Sequence, residues 1–127
     1  MKKVYLILIV ILLSACSTCK VAEKSPIREI QFGNGGGFTG ALTTYYLKAD
    51  GSLWKQGQKL KNLSCDSLST IYELAEQLPQ EDFIYPNNTY SFIRLTSRDT
   101  TYYYTWSWGE MPDKKVIELY LKLNKQL

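Results

Sequence analysis

Asp50-Gly51 lies between two stretches rich in strand-forming residues, and this limits the folds open to the chain. Thr43 to Leu47 precede the dipeptide, and Leu53 follows it. Threonine and tyrosine favour a pleated strand, whereas Asp-Gly supplies the positive φ angles of a tight hairpin turn. Strands that are joined by so short a turn pair antiparallel. The sequence therefore predicts an antiparallel sheet rather than alternating parallel strands and helices.

The other segments complete an α+β pattern. A first strand is predicted over Ile27–Phe32, and a second hairpin is predicted around Ser97–Thr100. The Lys- and Gln-rich stretch from Gly57 to Asn62 is predicted as a polar connection. Apolar residues at helical spacing predict one helix that begins near Asp66 and ends before Pro79, with Leu68, Ile71, Tyr72, Ala75 and Leu78 on one face. A last helix opens at Pro112-Asp113, with a buried stripe of Val116, Leu119 or Tyr120, Leu123 and Leu127. We predict a single antiparallel sheet of about five strands in the order β-β-β-α-β-β-α, with both helices packed on one face.

The amino terminus has the pattern of a secretory signal. Two lysines precede an apolar run over Val4–Leu13, which is too short to span a bilayer as a helix. Leu13-Ser14-Ala15-Cys16 resembles the lipobox of bacterial lipoproteins. The resemblance implies cleavage before Cys16 and attachment of lipid to its thiol, and Ser17 resembles the residue that follows the cysteine in lipoproteins sorted to an outer membrane. An ordinary cleaved signal, with Cys16 as a bystander, is the alternative.

This pattern divides the chain into three parts and revises its charge. We predict a cleaved signal peptide over residues 1–15, a lipidated tether over 16–25 and a single α+β domain over 26–127. Loss of Lys2 and Lys3 reduces the 15 Lys and Arg to 13 against 12 Asp and Glu, a net charge of +1. Such a chain has no basic stripe for nucleic acid. The expected location is the bacterial cell envelope, at the outer membrane, and Cys19 and Cys65 either pair or remain thiols.

The residue types argue against catalysis. The chain has no histidine, the commonest general base and metal ligand. Glu81, Asp82, Glu110 and Asp113 lie in a predicted turn or at a predicted helix start, where carboxylates are common without any catalytic role. We expect no enzyme, no cofactor and no metal site.

Five of the eight glycines lie within Gly33–Gly40, and this stretch contains a literal G-x-G-x-x-G. A dinucleotide site would need a helix after the glycines, but the following Ala41–Tyr46 favours a strand. The stretch is therefore predicted as a turn between two strands, where glycine permits positive φ angles and close backbone approach. Two interpretations remain open: a wide flexible loop, or a loop that displays Phe38 to a partner.

The motif Gly36-Gly37-Phe38-Thr39-Gly40 and the order of the elements around it resemble the emfourin family. The resemblance extends through the leucines of the first helix, Phe83, Tyr90-Ser91-Phe92, Tyr102–Tyr104 and the final helix. The founding type of that family inhibits thermolysin-like metallopeptidases. The resemblance implies a non-catalytic protein-binding module with a peptidase or another envelope protein as partner. The expected partner-binding residues are Gly35, Gly36, Gly37, Phe38, Thr39 and Gly40.

The last hairpin is rich in aromatic residues. Tyr102, Tyr104, Trp106 and Trp108 alternate, so all four are predicted to point to one face and Tyr103 to the other. Such a stripe is either core beneath the helices or a partly exposed surface. In the second case Tyr104, Trp106 and Trp108 would stack on sugars, and the protein would be a glycan-binding envelope lipoprotein.

Overall fold

A computed structural model describes residues 19–127, which form three helices and seven strands. The helices are α1 (Lys20–Lys24), α2 (Cys65–Glu76) and α3 (Lys114–Asn124). The strands are β1 (Ile27–Gly36), β2 (Leu42–Lys48), β3 (Ser52–Lys55), β4 (Gln58–Asn62), β5 (Phe83–Tyr85), β6 (Thr89–Ser97) and β7 (Thr101–Trp106). Among these residues, no helix is long and apolar enough to cross a membrane.

All seven strands belong to one sheet in the order β4-β3-β2-β1-β6-β7-β5. The pairs are antiparallel except that β5 runs parallel to β7. The predicted α+β class is confirmed. The predicted strand number and the purely antiparallel sheet are wrong, because the sheet has seven strands and is mixed.

The additional elements come from segments without a strong local signal. The predicted polar connection contains β4, which pairs with β3 and has every residue exposed. β5 has only three residues, and its partner β7 is distant in sequence. From Cys19 onwards, the segment predicted as a tether packs on the domain through α1, whose Ala22 is fully buried.

Both predicted hairpins are present. Gly51 has a φ of 91° but Asp50 does not have a positive φ, so only one of the two predicted positive angles is present; the Gly51 N–H donates to the carbonyl of Lys48 over 3.0 Å in the turn between β2 and β3. The Asp50 carboxylate accepts hydrogen bonds from the Ser52 hydroxyl at 2.5 Å and from its N–H at 2.9 Å. These two bonds hold the pKa of Asp50 below its ordinary value. The Ser52 hydroxyl in turn accepts from the indole N–H of Trp54 at 2.9 Å.

The sheet has two unlike faces, which follow from the alternation of side chains along each strand. The inner face is covered by α2 and α3, and its buried residues join those of the helices in one core. Inner-face members are Ile30, Phe32, Leu47, Leu53, Ile93, Leu95, Tyr104 and Trp106. No helix among residues 19–127 packs against the other face, which we call the open face.

The two long helices begin and bury residues much as predicted. The Ser64 hydroxyl caps α2 by accepting from the N–H of Ser67, and the Asp113 carboxylate caps α3 by accepting from the N–H of Lys115. Leu68, Ile71, Tyr72, Leu74 and Ala75 are buried on α2, and Val116, Leu119 and Leu123 on α3. The predicted burial of Leu127 is wrong, because α3 ends at Asn124 and Leu127 is 51% exposed.

A disulfide between Cys19 and Cys65 ties the residue before α1 to the first residue of α2. Their Cα atoms are 5.3 Å apart and the residues are 46 positions apart in sequence. The bridge lies at the Ile27 end of β1, because α1 leads directly into that strand and Leu63, just before α2, bonds to the β2–β3 turn. The two cysteines therefore form a pair rather than two free thiols.

Candidate functional site

The first half of the glycine stretch is strand rather than loop. Gly33 lies between Thr44 of β2 and Phe92 of β6, and β1 continues to Gly36. A Cβ atom on Gly33 would lie 1.9 Å from the Thr43 carbonyl oxygen, and one on Gly36 would lie 1.8 Å from that of Asn88. Glycine is therefore required here because neighbouring backbones approach too closely for any side chain.

The second half is a turn that displays its side chains. Gly37 and Gly40 have φ angles of 84° and 63°, and the N–H of Gly40 donates to the carbonyl of Gly37 over 3.2 Å. The Thr39 hydroxyl accepts from the N–H of Ala41 at 3.3 Å, which tightens the same turn. Phe38, at the tip, is 112% exposed relative to its reference state. The phenyl ring of Phe38 is therefore available to a partner and adds nothing to the core.

Hydrogen bonds hold this turn to neighbouring loops. The N–H of Gly37 donates to the carbonyl of Asn88 over 2.5 Å. The buried hydroxyl of Ser107 donates to the Thr89 carbonyl at 2.6 Å and accepts from the N–H of Asn87 at 2.7 Å. The loops after β1, before β6 and after β7 are thus joined by one backbone hydrogen bond and two bonds of the Ser107 hydroxyl, which support the turn that carries Phe38.

Exposed apolar side chains concentrate where these loops meet. β1 ends there, β2 and β6 begin there, and β5 and β7 end there, as the pairs Gly36 with Thr89 and Tyr85 with Trp106 require. We call this region the apolar end, with Phe38, Leu42, Ile84, Tyr85, Trp108 and Met111 as its members. Each of them is at least 53% exposed. An apolar surface of this kind on a small domain is typical of an interaction site.

The aromatic stripe of the last hairpin divides into buried and exposed residues. Tyr104 is 1% exposed and donates its hydroxyl to the carbonyl of Pro79, and burial raises the pKa of Tyr104 to about 12. Trp106 is 5% exposed and packs edge-on against Tyr120, with ring centroids 5.1 Å apart. β7 ends at Trp106, so Trp108 leaves the face and is 95% exposed. Of the three predicted sugar-stacking residues, only Trp108 is accessible.

Two of the carboxylates that the sequence analysis considered make hydrogen bonds to backbone N–H groups. The carboxylate of Asp82 accepts from the N–H of Tyr103 at 2.9 Å, and that of Asp113 caps α3. Within residues 19–127, no three His, Cys, Asp or Glu side chains group so as to hold a metal ion. Cys16, the predicted lipidation site, lies outside the described residues.

Two features of the site needed the structure. The apolar end combines loops that are distant in sequence, and only the strand register brings Phe38 and Trp108 to the same end of the sheet. The open face carries Gln31, Tyr46, Tyr90, Phe92, Arg94 and Tyr103, whose alternation is visible in each strand although their juxtaposition is not. No family model, curated protein or solved structure matches this chain.

Proposed function

We propose that this protein is a lipoprotein of a bacterial cell envelope that acts as a non-catalytic protein-binding module. Lipid on Cys16 anchors it, and the apolar end meets the partner. The exposure of Phe38 on a supported turn is the observation that carries the proposal. A peptidase is the first candidate partner, since Gly36–Gly40 resembles the emfourin motif.

The exposure of Phe38 favours a binding role on energetic grounds. Transfer of a phenylalanine side chain from water into an apolar environment contributes about 1.5–3 kcal/mol. Because Phe38 is fully exposed in this chain, none of that free energy stabilises the fold. A partner with a matching pocket would gain it, and large aromatic anchors of this kind dominate many protein interfaces.

The position of the proposed anchor also favours a partner away from the anchoring membrane. Cys16 is three residues before Cys19, and the disulfide of Cys19 lies at the Ile27 end of β1. The apolar end is at the other end of this ten-residue strand, which at 3.3 Å per residue extends about 30 Å. Cys19 and Phe38 are thus separated by about the length of β1.

A binding role without catalysis agrees with the surroundings of the polar residues. The chain has no histidine. The Asp82 carboxylate accepts from the backbone N–H of Tyr103 in β7, and the Asp113 carboxylate accepts from the backbone N–H of Lys115 at the start of α3.

The anchor is tested by intact-mass analysis of the chain purified from bacterial membranes. We expect a mass that matches cleavage before Cys16 with added acyl groups, and loss of those groups in a Cys16→Ser variant. An unacylated wild-type chain in the aqueous fraction would contradict the anchor.

The partner-binding role is tested by inhibition of a thermolysin-like metallopeptidase. We expect Phe38→Ala to weaken inhibition about thirtyfold or more, since a hot-spot truncation costs about 2 kcal/mol or more. Leu60→Ala is the matched control, because Leu60 is 46% exposed on the edge strand β4, far from the turn. Absence of inhibition by the wild-type chain would reject the peptidase as partner. The wider proposal then depends on whether Phe38→Ala abolishes capture of a specific envelope protein.

Glycan binding is the second candidate, and the exposure of Trp108 is what favours it. The role of Tyr104 and Trp106 is reduced to supporting the strand that ends before Trp108. A glycan array probed with the wild-type chain and with Trp108→Ala would decide, because only a signal that is lost in the variant supports this candidate.

A further inference from the structure

The open face carries a row of large side chains across five strands. In register, Trp54 of β3 faces Tyr46 of β2, Tyr46 faces Gln31 of β1, Gln31 faces Arg94 of β6, and Arg94 faces Tyr103 of β7. Side chains directly opposite each other on one face are in contact range. The row is therefore continuous and crosses the middle of the sheet.

A shallow depression lies beside this row. The ring of Tyr90, which lies over Gly35 of β1, forms part of its wall. The depression has a volume of about 420 Å³ and is lined mainly by Thr44, Tyr46, Ile84, Tyr90, Phe92 and Arg94. Its walls combine aromatic and aliphatic side chains with polar groups such as Thr44 and Arg94, a mixture that is found in ligand pockets of this size.

Arg94 is held in this row by neutral groups. Its guanidinium carbon lies 4.8 Å from the centroid of the Tyr103 ring, and its Nη1 donates to the Gln31 side-chain oxygen over 3.3 Å. The Gln31 amide nitrogen donates to the Glu29 carboxylate at 2.9 Å, which orients the amide oxygen toward Arg94. Arginine has five N–H donors, so most of its donor capacity remains available.

The environment of Arg94 favours an anionic ligand. Its Nε is shielded from solvent and has no hydrogen-bond partner among residues 19–127. A positive charge that is oriented by neutral groups and partly removed from water gains from a carboxylate more than a solvated surface charge does. The apolar depression beside Arg94 adds a requirement for an apolar group next to that carboxylate.

Cations already occupy ring faces in the row, which weakens the case for sugar stacking. The Lys48 ammonium lies 4.8 Å from the Trp54 ring centroid, and the Arg94 guanidinium covers Tyr103. A sugar would have to displace these charges to stack on the same ring faces, whereas a carboxylate would complement them.

We propose that the open face is a binding site for an acidic, partly apolar segment of another protein. The carboxylate of a partner Asp or Glu is bound by Arg94, and an adjacent apolar side chain of the partner lies in the depression against Tyr46 and Phe92. This site shares Ile84 with the apolar end but uses neither the Phe38 turn nor the lipid, and it does not depend on the function proposed above.

Selection from a random displayed-peptide library on the full chain in detergent tests this site. The same selection is run on Arg94→Gln and on Lys55→Gln, which removes an equal charge from the ring of Tyr45, 5.5 Å away and outside the depression. We expect peptides with an acidic residue beside an apolar one from the wild type and from Lys55→Gln, but not from Arg94→Gln. A synthetic copy of the selected peptide should bind about tenfold more weakly to Arg94→Gln, and an equal loss should follow Glu→Gln in the peptide.

Several results would overturn the proposal. These are selected peptides without acidic residues, the same peptides from Arg94→Gln, or no enriched sequence at all. Arg94-dependent self-association in sedimentation would identify a second copy as the occupant, and Arg94-dependent binding of an acidic oligosaccharide would identify a glycan.

If Arg94→Gln lowers the thermal midpoint, Arg94→Lys replaces it. We expect weaker peptide binding to Arg94→Lys as well, because lysine lacks the planar guanidinium fork, and unchanged binding would reject the role of Arg94.

Discussion

Phe32 and Phe92 lie on adjacent central strands, β1 and β6, but on opposite faces of the sheet. Phe32 is completely buried beneath the helices, stacks on Tyr45 with ring centroids 5.3 Å apart and belongs to the core. Phe92 is half-buried on the open face, beside the depression that Arg94 also lines. The inner face thus contributes most of the stability, whereas the open face keeps large side chains that the core does not need.

Replacement of each phenylalanine by alanine tests whether the two faces of the sheet contribute equally to the free energy of unfolding. We expect Phe32→Ala to lower the free energy of unfolding by about 3–5 kcal/mol, since it removes buried area and leaves a cavity. Phe92→Ala should cost about 1 kcal/mol, the usual value for a point substitution outside the core. Denaturant unfolding measures both values, and equal losses would show that the open face is part of the core.

Reduction of the disulfide tests how firmly the helices that cover the inner face are held. The bridge closes a long loop, with its cysteines 46 positions apart, so its removal should cost about 2–4 kcal/mol. We expect a lower thermal midpoint for the wild type in reductant. The Cys19→Ser/Cys65→Ser double variant should have that lower midpoint with or without reductant. A wild-type thermal midpoint that does not change in reductant would show that the bridge does not stabilise the fold.

Gly33 and Gly35 of the central strand β1 sharpen the contrast between backbone and side-chain contacts. Gly33→Ala would place its Cβ against the backbone carbonyl of Thr43, so we expect a loss of about 1–3 kcal/mol. Gly35→Ala would meet the end of the Tyr90 side chain at 2.7 Å, and that ring can move. We expect a smaller loss from Gly35→Ala, together with changed NMR shifts for the open face. A larger loss from Gly35→Ala than from Gly33→Ala would contradict this distinction between backbone and side-chain contacts.

The smallest effect is expected at Asp50, which supports the open-face ring of Trp54 through Ser52. Because the pKa of Asp50 is lowered in the folded chain, its contribution is present above the unfolded pKa, near 3.8. That contribution is lost as the pH falls through the lower folded value. Asp50→Asn should therefore lower the thermal midpoint slightly at pH 7, and this difference should vanish in strong acid. A difference that persists unchanged at the lowest pH would exclude the carboxylate as its source.

Local chemistry was enough to predict the elements that carry their own signals. The turn at Asp50-Gly51, the start of α2 near Asp66 and the start of α3 after Pro112 all follow from residue types at short range. The inner faces of the helices follow from apolar spacing, apart from Leu127 beyond the end of α3.

The elements missed from the sequence depend on distant partners. β4 is rich in lysine and glutamine and becomes a strand only because β3 pairs with it, and such charged residues protect an exposed edge. Gly33–Gly36 is strand because β2 and β6 pair with it on both sides, although glycine disfavours strands locally. The open-face row likewise requires a register across five strands, which no single segment contains.

The disulfide has a mechanical consequence if Cys16 is anchored as we propose. Three peptide steps separate Cys16 from Cys19 and span at most about 11 Å, so little slack remains between bilayer and bridge. A force on the lipid would then be transmitted through the disulfide to Cys65, the first residue of α2. It would not separate α1 and β1 from the rest of the sheet. The force would be divided between two segments of the chain. A load on a partner bound at the apolar end would then not unfold the domain from its amino terminus.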